Sequence, residues 1–179
     1  MENLYDIIFF GYFIALIILS VSLIIIFLKC EEKIFCNMLK IFAIFFAVGI
    51  FFIFPLLFFL NTGCAVAEGP LLVLLIVNVD MINFTLFALV AGKISGGFCK
   101  KLKNCTIVPF ISMFFVVAMF FVFYFIGIFI VPMICVLIST CVMLIHAFKF
   151  AREKREQIWL VVSFIFPPAG IIFLLTNND

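Results

Sequence analysis

Charged side chains are scarce in this chain of 179 residues, of which only 11% are Asp, Glu, Lys or Arg and 69% are hydrophobic. Soluble domains contain about 25% charged residues. So small a supply of polar side chains cannot cover a water-exposed surface. The composition therefore excludes a soluble globular domain and indicates an integral membrane protein.

Residues that carry common enzyme chemistry are also rare. His146 is the only histidine, so the H-E-x-x-H pair of a membrane zinc protease is excluded. No second membrane aspartate is present to form an aspartyl dyad, and no histidine lies at the depth of a membrane serine to activate it. We predict no catalytic residues, no metal site and no cofactor, and expect His146 to pack near the membrane surface.

Six of the seven cysteines form three pairs with five residues between partners: Cys30 and Cys36, Cys99 and Cys105, and Cys135 and Cys141. This spacing differs from the C-x2-C of zinc ribbons and redox motifs. A buried or cytosolic free thiol behaves as a small apolar residue. We therefore expect the cysteines to be unpaired structural thiols.

Long apolar runs occupy most of the chain. A helix of about 20 residues spans the roughly 30 Å hydrocarbon core of a bilayer. The uncharged stretch 104–148, about 45 residues, would form a helix of about 67 Å, so we divide it at a turn near Gly127 and Pro132. The sequence predicts an all-α polytopic protein, one transmembrane domain with six spans at residues 7–28, 41–60, 71–92, 107–125, 130–148 and 158–176.

The charges sort cleanly between the two sides of this arrangement. All eleven basic residues fall in the loops 29–40 and 93–103 or in the segment 149–155. The opposite side carries only acids: Glu2, Asp6, Glu68 and Asp179. The positive-inside rule then makes the basic loops cytoplasmic and both termini extracytoplasmic, in a cell (inner or plasma) membrane. Orientation and lipid headgroup contact explain the basic loops, so we predict no nucleic-acid partner.

Asp80, at the centre of the third predicted span, is the only charged residue that cannot be placed near a membrane surface. At 100° per residue, Asn83 lies about 60° from it, on the same face. Asn78 and Thr85 lie about 140–160° away. Because a lipid-facing helix would not be polar on two sides, we predict that this helix is central.

Polar or helix-breaking residues occur at similar depth in two other predicted spans. Ser139 and Thr140 lie at the middle of the fifth, and Pro167 and Pro168 lie at the middle of the last. Two prolines remove two backbone donors, so we predict that the last span is broken and that its break faces Asp80. Many transporters build ion sites from a broken helix.

Two functions remain open. In the first, Asp80, Asn83, Thr140 and Pro167 form a cation or proton site in a small transport-related or accessory membrane subunit. In the second, the chain is a structural or assembly protein without a ligand. There the polar residues would serve helix packing, a role we assign in either case to Asn78, Thr85 and Ser139. The predicted partners are the lipid bilayer and a larger membrane complex or a second copy of the chain. A lipid-acting enzyme is the least favoured class.

Overall fold

The computed structural model describes residues 32–60, 65–123 and 130–176, together with positions 11, 14, 15, 18, 22 and 25. These parts of the chain are helical and contain no strand. Six helices are α1 Glu32–Leu60, α2 Ala65–Ile94, α3 Lys100–Phe123, α4 Ile130–Phe150, α5 Lys154–Ile165 and α6 Ala169–Thr176. Most of the first predicted span, and the predicted turn at Gly127, lie outside the described residues.

The helices extend beyond the predicted spans. Helix α1 begins at Glu32 and α3 at Lys100, so residues 32–40 and 100–103, which we placed in loops, are helical. That part of the prediction is wrong, because Lys and Glu are themselves good helix formers. Helix α2 has 30 residues. A helix of that length is about 45 Å long and reaches through the headgroup layers as well as the hydrocarbon.

The apolar character of these helices suits a membrane. Three stretches of the described chain are long and apolar enough to cross one: Glu32–Phe51, Leu75–Ile94 and Ile130–Phe150. Among the described residues, 31 large hydrophobic side chains are exposed, against 24 buried hydrophobic residues. Soluble monomers rarely expose large contiguous apolar patches. The fold is therefore compatible with a helical membrane protein.

Helix α2 lies at the centre of this fold. Within the protein, 67% of its apolar stretch is buried, against 28% for that of α1 and 22% for that of α4. It contacts each of the other five helices α1 and α3–α6. The prediction that this helix is central, made from polar residues on two of its sides, is confirmed.

Phenylalanine rings join α1, α2 and α3. Phe35, Phe42 and Phe46 lie on one face of α1, and all three are buried. The Phe110 ring of α3 lies 4.9 Å from Phe42, 6.2 Å from Phe46 and 6.1 Å from Phe84 of α2. Lipid is as apolar as Phe, so within a bilayer these contacts stabilise the fold by close packing rather than by removal from water.

The last two helices fold back on each other. Helix α5 has 12 residues and α6 has 8. They are about 18 and 12 Å long, too short to span a bilayer. The ring centroids of Trp159 and Phe173 are only 5.9 Å apart. In one straight helix these residues would be separated by about 21 Å along the axis. Residues 154–176 therefore form a helical hairpin, the C-terminal hairpin.

The predicted break is present, but its consequence differs from the prediction. Helix α5 ends where the Phe166 N–H donates to the Val162 carbonyl at 2.8 Å. Pro167 and Pro168 have no N–H to continue the helix. The chain then reverses instead of going on in the same direction. Residues 158–176 thus form two helices that do not continue in one direction, and the predicted count of six spans is not confirmed.

Gly170 makes the close return of α6 sterically allowed. A Cβ atom at this position would lie 2.8 Å from Cγ2 of Val90 and 3.3 Å from Oγ of Ser163. The backbone of α6 therefore approaches both α2 and α5 more closely than any other residue type would permit. This contact fixes the C-terminal hairpin against the central helix.

The basic segments gather at one end of the bundle, here called the basic end. The Phe98 N–H, between α2 and α3, donates to the Glu32 carboxylate at the start of α1. Cys99 Sγ lies 3.3 Å from Nε2 of His146, near the end of α4. The C-terminal hairpin leaves from this end at Lys154. Because the hairpin reverses, Thr176 returns toward the basic end.

Two glycines shape the connection between α2 and α3. Gly96 has a φ of +72° and Gly97 a φ of +132°. The Gly97 N–H donates to the Gly92 carbonyl at 2.8 Å, and the Gly96 N–H donates to Lys93 at 3.1 Å. This is a Schellman motif, which satisfies the last carbonyls of α2. A side chain at Gly97 would overlap the Glu32 carboxylate, whereas Gly96 faces open space.

Candidate functional site

A cavity of about 460 Å³ lies between α2, α4 and the C-terminal hairpin. The four residues that we predicted as a site, Asp80, Asn83, Thr140 and Pro167, all line it. The structure thus brings together side chains that are up to 87 positions apart in the sequence, from Asp80 to Pro167. Their binding role is not tested by this proximity and remains a hypothesis.

Each of the two long walls of the cavity is one face of a helix. Helix α2 contributes Asp80, Asn83, Phe84 and Phe87. These positions, three, four and seven residues apart, fall on one side of a helix. Helix α4 contributes residues between Ile130 and Thr140, mostly three or four positions apart. Ordinary helix periodicity therefore explains which side chains meet in the cavity.

The cavity exists because the C-terminal hairpin ends halfway. Measured by helix rise from the basic end, Asp80 lies about 21 Å along α2, Thr140 about 15 Å along α4, and the hairpin tip about 18 Å along α5. These depths are close to the middle of a 30 Å hydrocarbon layer. The lining continues past the tip to Ile130, at the far end of α4. Beyond the tip, no part of the hairpin fills the space between α2 and α4.

The polar groups of the cavity are mainly hydrogen-bond acceptors. Asp80 and Asn83 are half-buried, and neither makes a hydrogen bond or ion pair within the described chain. Thr140 Oγ1 donates to the Val136 carbonyl at 2.6 Å, so its oxygen is left to accept. An ionised Asp80 would add two acceptor oxygens. The set therefore suits a positively charged or proton-donating ligand.

Aromatic rings surround these acceptors. Phe84 and Phe87 are buried in the wall formed by α2, and Phe164 extends from α5. The Phe87 and Phe164 centroids are 5.9 Å apart in an edge-to-face arrangement. This contact ties the C-terminal hairpin to the central helix beside Asp80. The three rings form an apolar, polarisable boundary of the cavity.

The three residues that we assigned to helix packing lie inside the protein and do not line the cavity. Asn78 and Thr85 are fully buried on α2, and Ser139 is buried on α4. Thr85 Oγ1 donates to the Met81 carbonyl of its own helix at 2.6 Å. That bond satisfies the hydroxyl without joining two helices. A packing role for Asn78, Thr85 and Ser139 remains a prediction.

Sequence reasoning missed the contact between Cys99 and His146. These residues lie 47 positions apart, and their Sγ and Nε2 atoms are 3.3 Å from each other. Both had been placed at the basic side, so a comparison of depths could have found the pair. The described cysteines, 36, 99, 105, 135 and 141, are free thiols. In the described ranges, no group of three or more His, Cys, Asp or Glu side chains could hold a metal ion.

The described fold is that of an all-helical protein whose long apolar helices suit a membrane. Comparison of the chain with protein-family models, curated proteins and solved structures finds no match. The function is therefore argued from the cavity and its residues.

Proposed function

We propose that this chain is a small transport-related or accessory membrane protein in which Asp80 binds a cation or a proton. The observation that carries the proposal is the shared cavity, which places Asp80, Asn83 and Thr140 against the tip of a helical hairpin. An acidic side chain at the centre of a membrane helix costs about 2.5–3.5 kcal/mol. Broken backbone at that depth is tolerated only when buried or when it lines a cavity. Here the acidic side chain of Asp80 and the broken backbone at Pro167 line the same cavity.

A site of this kind exchanges a proton for a cation at the Asp80 carboxylate. An ionised carboxylate without a counter-ion is unfavourable in apolar surroundings. Asp80 is therefore either protonated or paired with a bound cation, and each form is electrically neutral. Release of one ligand favours uptake of the other.

The topology that we propose differs from the one predicted from the sequence. If the basic end is cytoplasmic, as the positive-inside rule requires, the C-terminal hairpin enters the membrane from that side and returns to it. The C-terminal end of the chain is then cytoplasmic. The cavity, which continues from the hairpin tip toward Ile130, opens into the opposite half of the membrane. We propose this arrangement in a cell membrane.

Infrared difference spectroscopy of the reconstituted protein during a pH titration tests the proposed role of Asp80. We expect the wild-type protein to show the carbonyl band of a protonated carboxylic acid that disappears when Asp80 ionises. Asp80→Asn should lack this band, while Asp80→Glu should retain a shifted one. The other eight acidic residues of the chain are present in every sample and cancel in the comparison. Identical spectra for the wild type and Asp80→Asn would reject the proposed site.

A further inference from the structure

We infer that the cation bound at Asp80 is an organic ammonium, a protonated amine that carries an apolar group, rather than a metal ion. This inference rests on the proposed function and adds the chemical class of the ligand. Four properties of the cavity support it: its size, its acceptor atoms, its aromatic lining and the side on which it opens.

The size of the cavity suits a small organic molecule. Its volume is about 460 Å³. Pockets for small organic ligands range from roughly 300 to 1,000 Å³. Nine of the twelve lining residues are apolar, and only Asp80, Asn83 and Thr140 are polar. A predominantly apolar pocket with a few convergent polar groups is the usual form of an organic ligand site.

The acceptor atoms match an ammonium group better than a divalent metal ion. The three polar side chains offer at most four oxygens, two of Asp80 and one each of Asn83 and Thr140. Calcium takes about 6–8 oxygen ligands, and magnesium requires near-octahedral coordination. A primary ammonium has three N–H donors and needs about three acceptors. Thr140 is suited to accept, because its own proton is donated to Val136.

The break in the hairpin leaves a backbone carbonyl near the cavity without its usual donor. Pro168 has no N–H to donate to the Phe164 carbonyl one helical turn earlier. The N–H of Ala169 donates to Phe166 instead, at 2.9 Å. Phe164 lines the cavity, so the carbonyl that lacks its usual helical donor belongs to a residue of the lining. An ammonium group bound nearby has N–H groups that can donate to the Phe164 carbonyl.

The apolar residues of the lining suit both the ammonium group and the apolar tail of such a ligand. A cation within about 6 Å of an aromatic ring centroid is attracted to the ring face. Phe84, Phe87 and Phe164 provide rings next to the carboxylate. Ile134 and Leu137 line the wall that leads away from it, and they are 50% and 60% exposed. The cavity is thus open along α4, and an amine with an apolar tail can enter from the hydrocarbon layer.

Isothermal titration calorimetry of the full-length protein in lipid nanodiscs tests this inference, with 4-phenylbutylammonium as the probe. We expect the ammonium to bind at least tenfold more tightly than 4-phenylbutanol, a neutral analogue of similar shape. Na⁺, K⁺ and Mg²⁺ should not compete with it. Asp80→Asn should weaken binding of the ammonium at least tenfold. The heat that remains when the probe is titrated into the Asp80→Asn variant measures simple partitioning of the probe into lipid.

Two pairs of variants test the contacts individually. Thr140→Val should weaken the primary ammonium severalfold but not its N-trimethyl analogue, which has no N–H to donate. Thr176→Val is the matched control, because Thr176 donates in the same way to Ile172 but lies outside the cavity lining. Phe164→Leu should weaken both probes about two- to fivefold through loss of the ring. Phe166→Leu, an exposed position outside the lining, should change neither.

Equal binding heats for the wild type and Asp80→Asn would overturn the inference. So would tighter binding of the alcohol, or full competition by an inorganic cation. If the infrared band of Asp80 titrates while the amine fails to bind, the ligand class is wrong and the proton site stands. If the band is absent as well, both proposals fail.

Discussion

A reporter fused after Asp179 is expected to be active on the same side of the membrane as a reporter inserted in residues 149–155. The reason is the reversal at Phe166–Pro168. Helix α5 starts at the basic end, and the 5.9 Å contact between Trp159 and Phe173 requires α6 to return beside it. The expected effect is all or none, since a crossing helix and a hairpin place the C-terminus on opposite sides.

A fluorescent protein that folds only in the cytoplasm and a phosphatase active only outside it provide the two readouts. A reporter inserted in residues 61–64, between α1 and α2, is the control for the other side, because it is separated from the basic end by the full length of α2. An extracytoplasmic signal after Asp179, matching that control, would contradict the hairpin. It would restore the six-span topology.

Gly97→Ala is expected to lower the free energy of unfolding by about 3 kcal/mol. At a φ of +132°, a residue with a Cβ is strained, which costs about 1–3 kcal/mol. The new methyl group would also displace the Glu32 carboxylate from the Phe98 N–H. Loss of that hydrogen bond adds about 1 kcal/mol for a solvent-exposed acid. Reversible unfolding in mixed micelles measures the sum.

Gly96→Ala is the matched control. Its φ of +72° is also left-handed, but a Cβ there meets nothing within 4 Å. The conformational cost alone should be about 1–2 kcal/mol. In the Gly97→Ala background, Glu32→Ala should restore part of the lost stability, because it removes the group that the methyl strikes. Equal losses for the two glycine variants would show that Glu32 does not pack against Gly97.

The composition of the cavity could be predicted from the sequence to a useful degree. The position of each residue along its predicted span was enough to select Asp80, Thr140 and Pro167 as neighbours. Helices that run side by side bring residues at equal depth in the membrane together. The periodicity that put Asn83 beside Asp80 also puts Phe84 and Phe87 on that face. The aromatic lining could therefore have been included.

The path of the last segment could not be predicted in the same way. Two consecutive prolines end a helix, but a kink and a reversal both satisfy that requirement. The choice depends on packing: Gly170 fits against Val90 and Ser163, and Trp159 against Phe173. Those contacts involve residues with no distinguishing pattern in the sequence. The early starts of α1 and α3 were missed because Lys and Glu indicate a membrane surface without indicating a loop.

The charge selectivity of thiol labelling at position 140 tests the central claim most directly. In a variant without native cysteines, Thr140→Cys replaces a cavity hydroxyl with a thiol of similar size. Membrane-impermeant methanethiosulfonate reagents, one cationic and one anionic, are added from the side opposite the basic end. When Asp80 has lost its proton, the cationic reagent can take the place of the bound cation, whereas the anionic reagent is repelled by the carboxylate.

We predict that the cationic reagent modifies Thr140→Cys at least tenfold faster than the anionic reagent at neutral pH or above, and that Asp80→Asn abolishes the preference. Thr176→Cys, which the hairpin returns toward the basic end, should react with neither reagent when they are added from this side. Equal reaction rates of the two reagents with Thr140→Cys, or a preference that persists in Asp80→Asn, would contradict a cation site at Asp80.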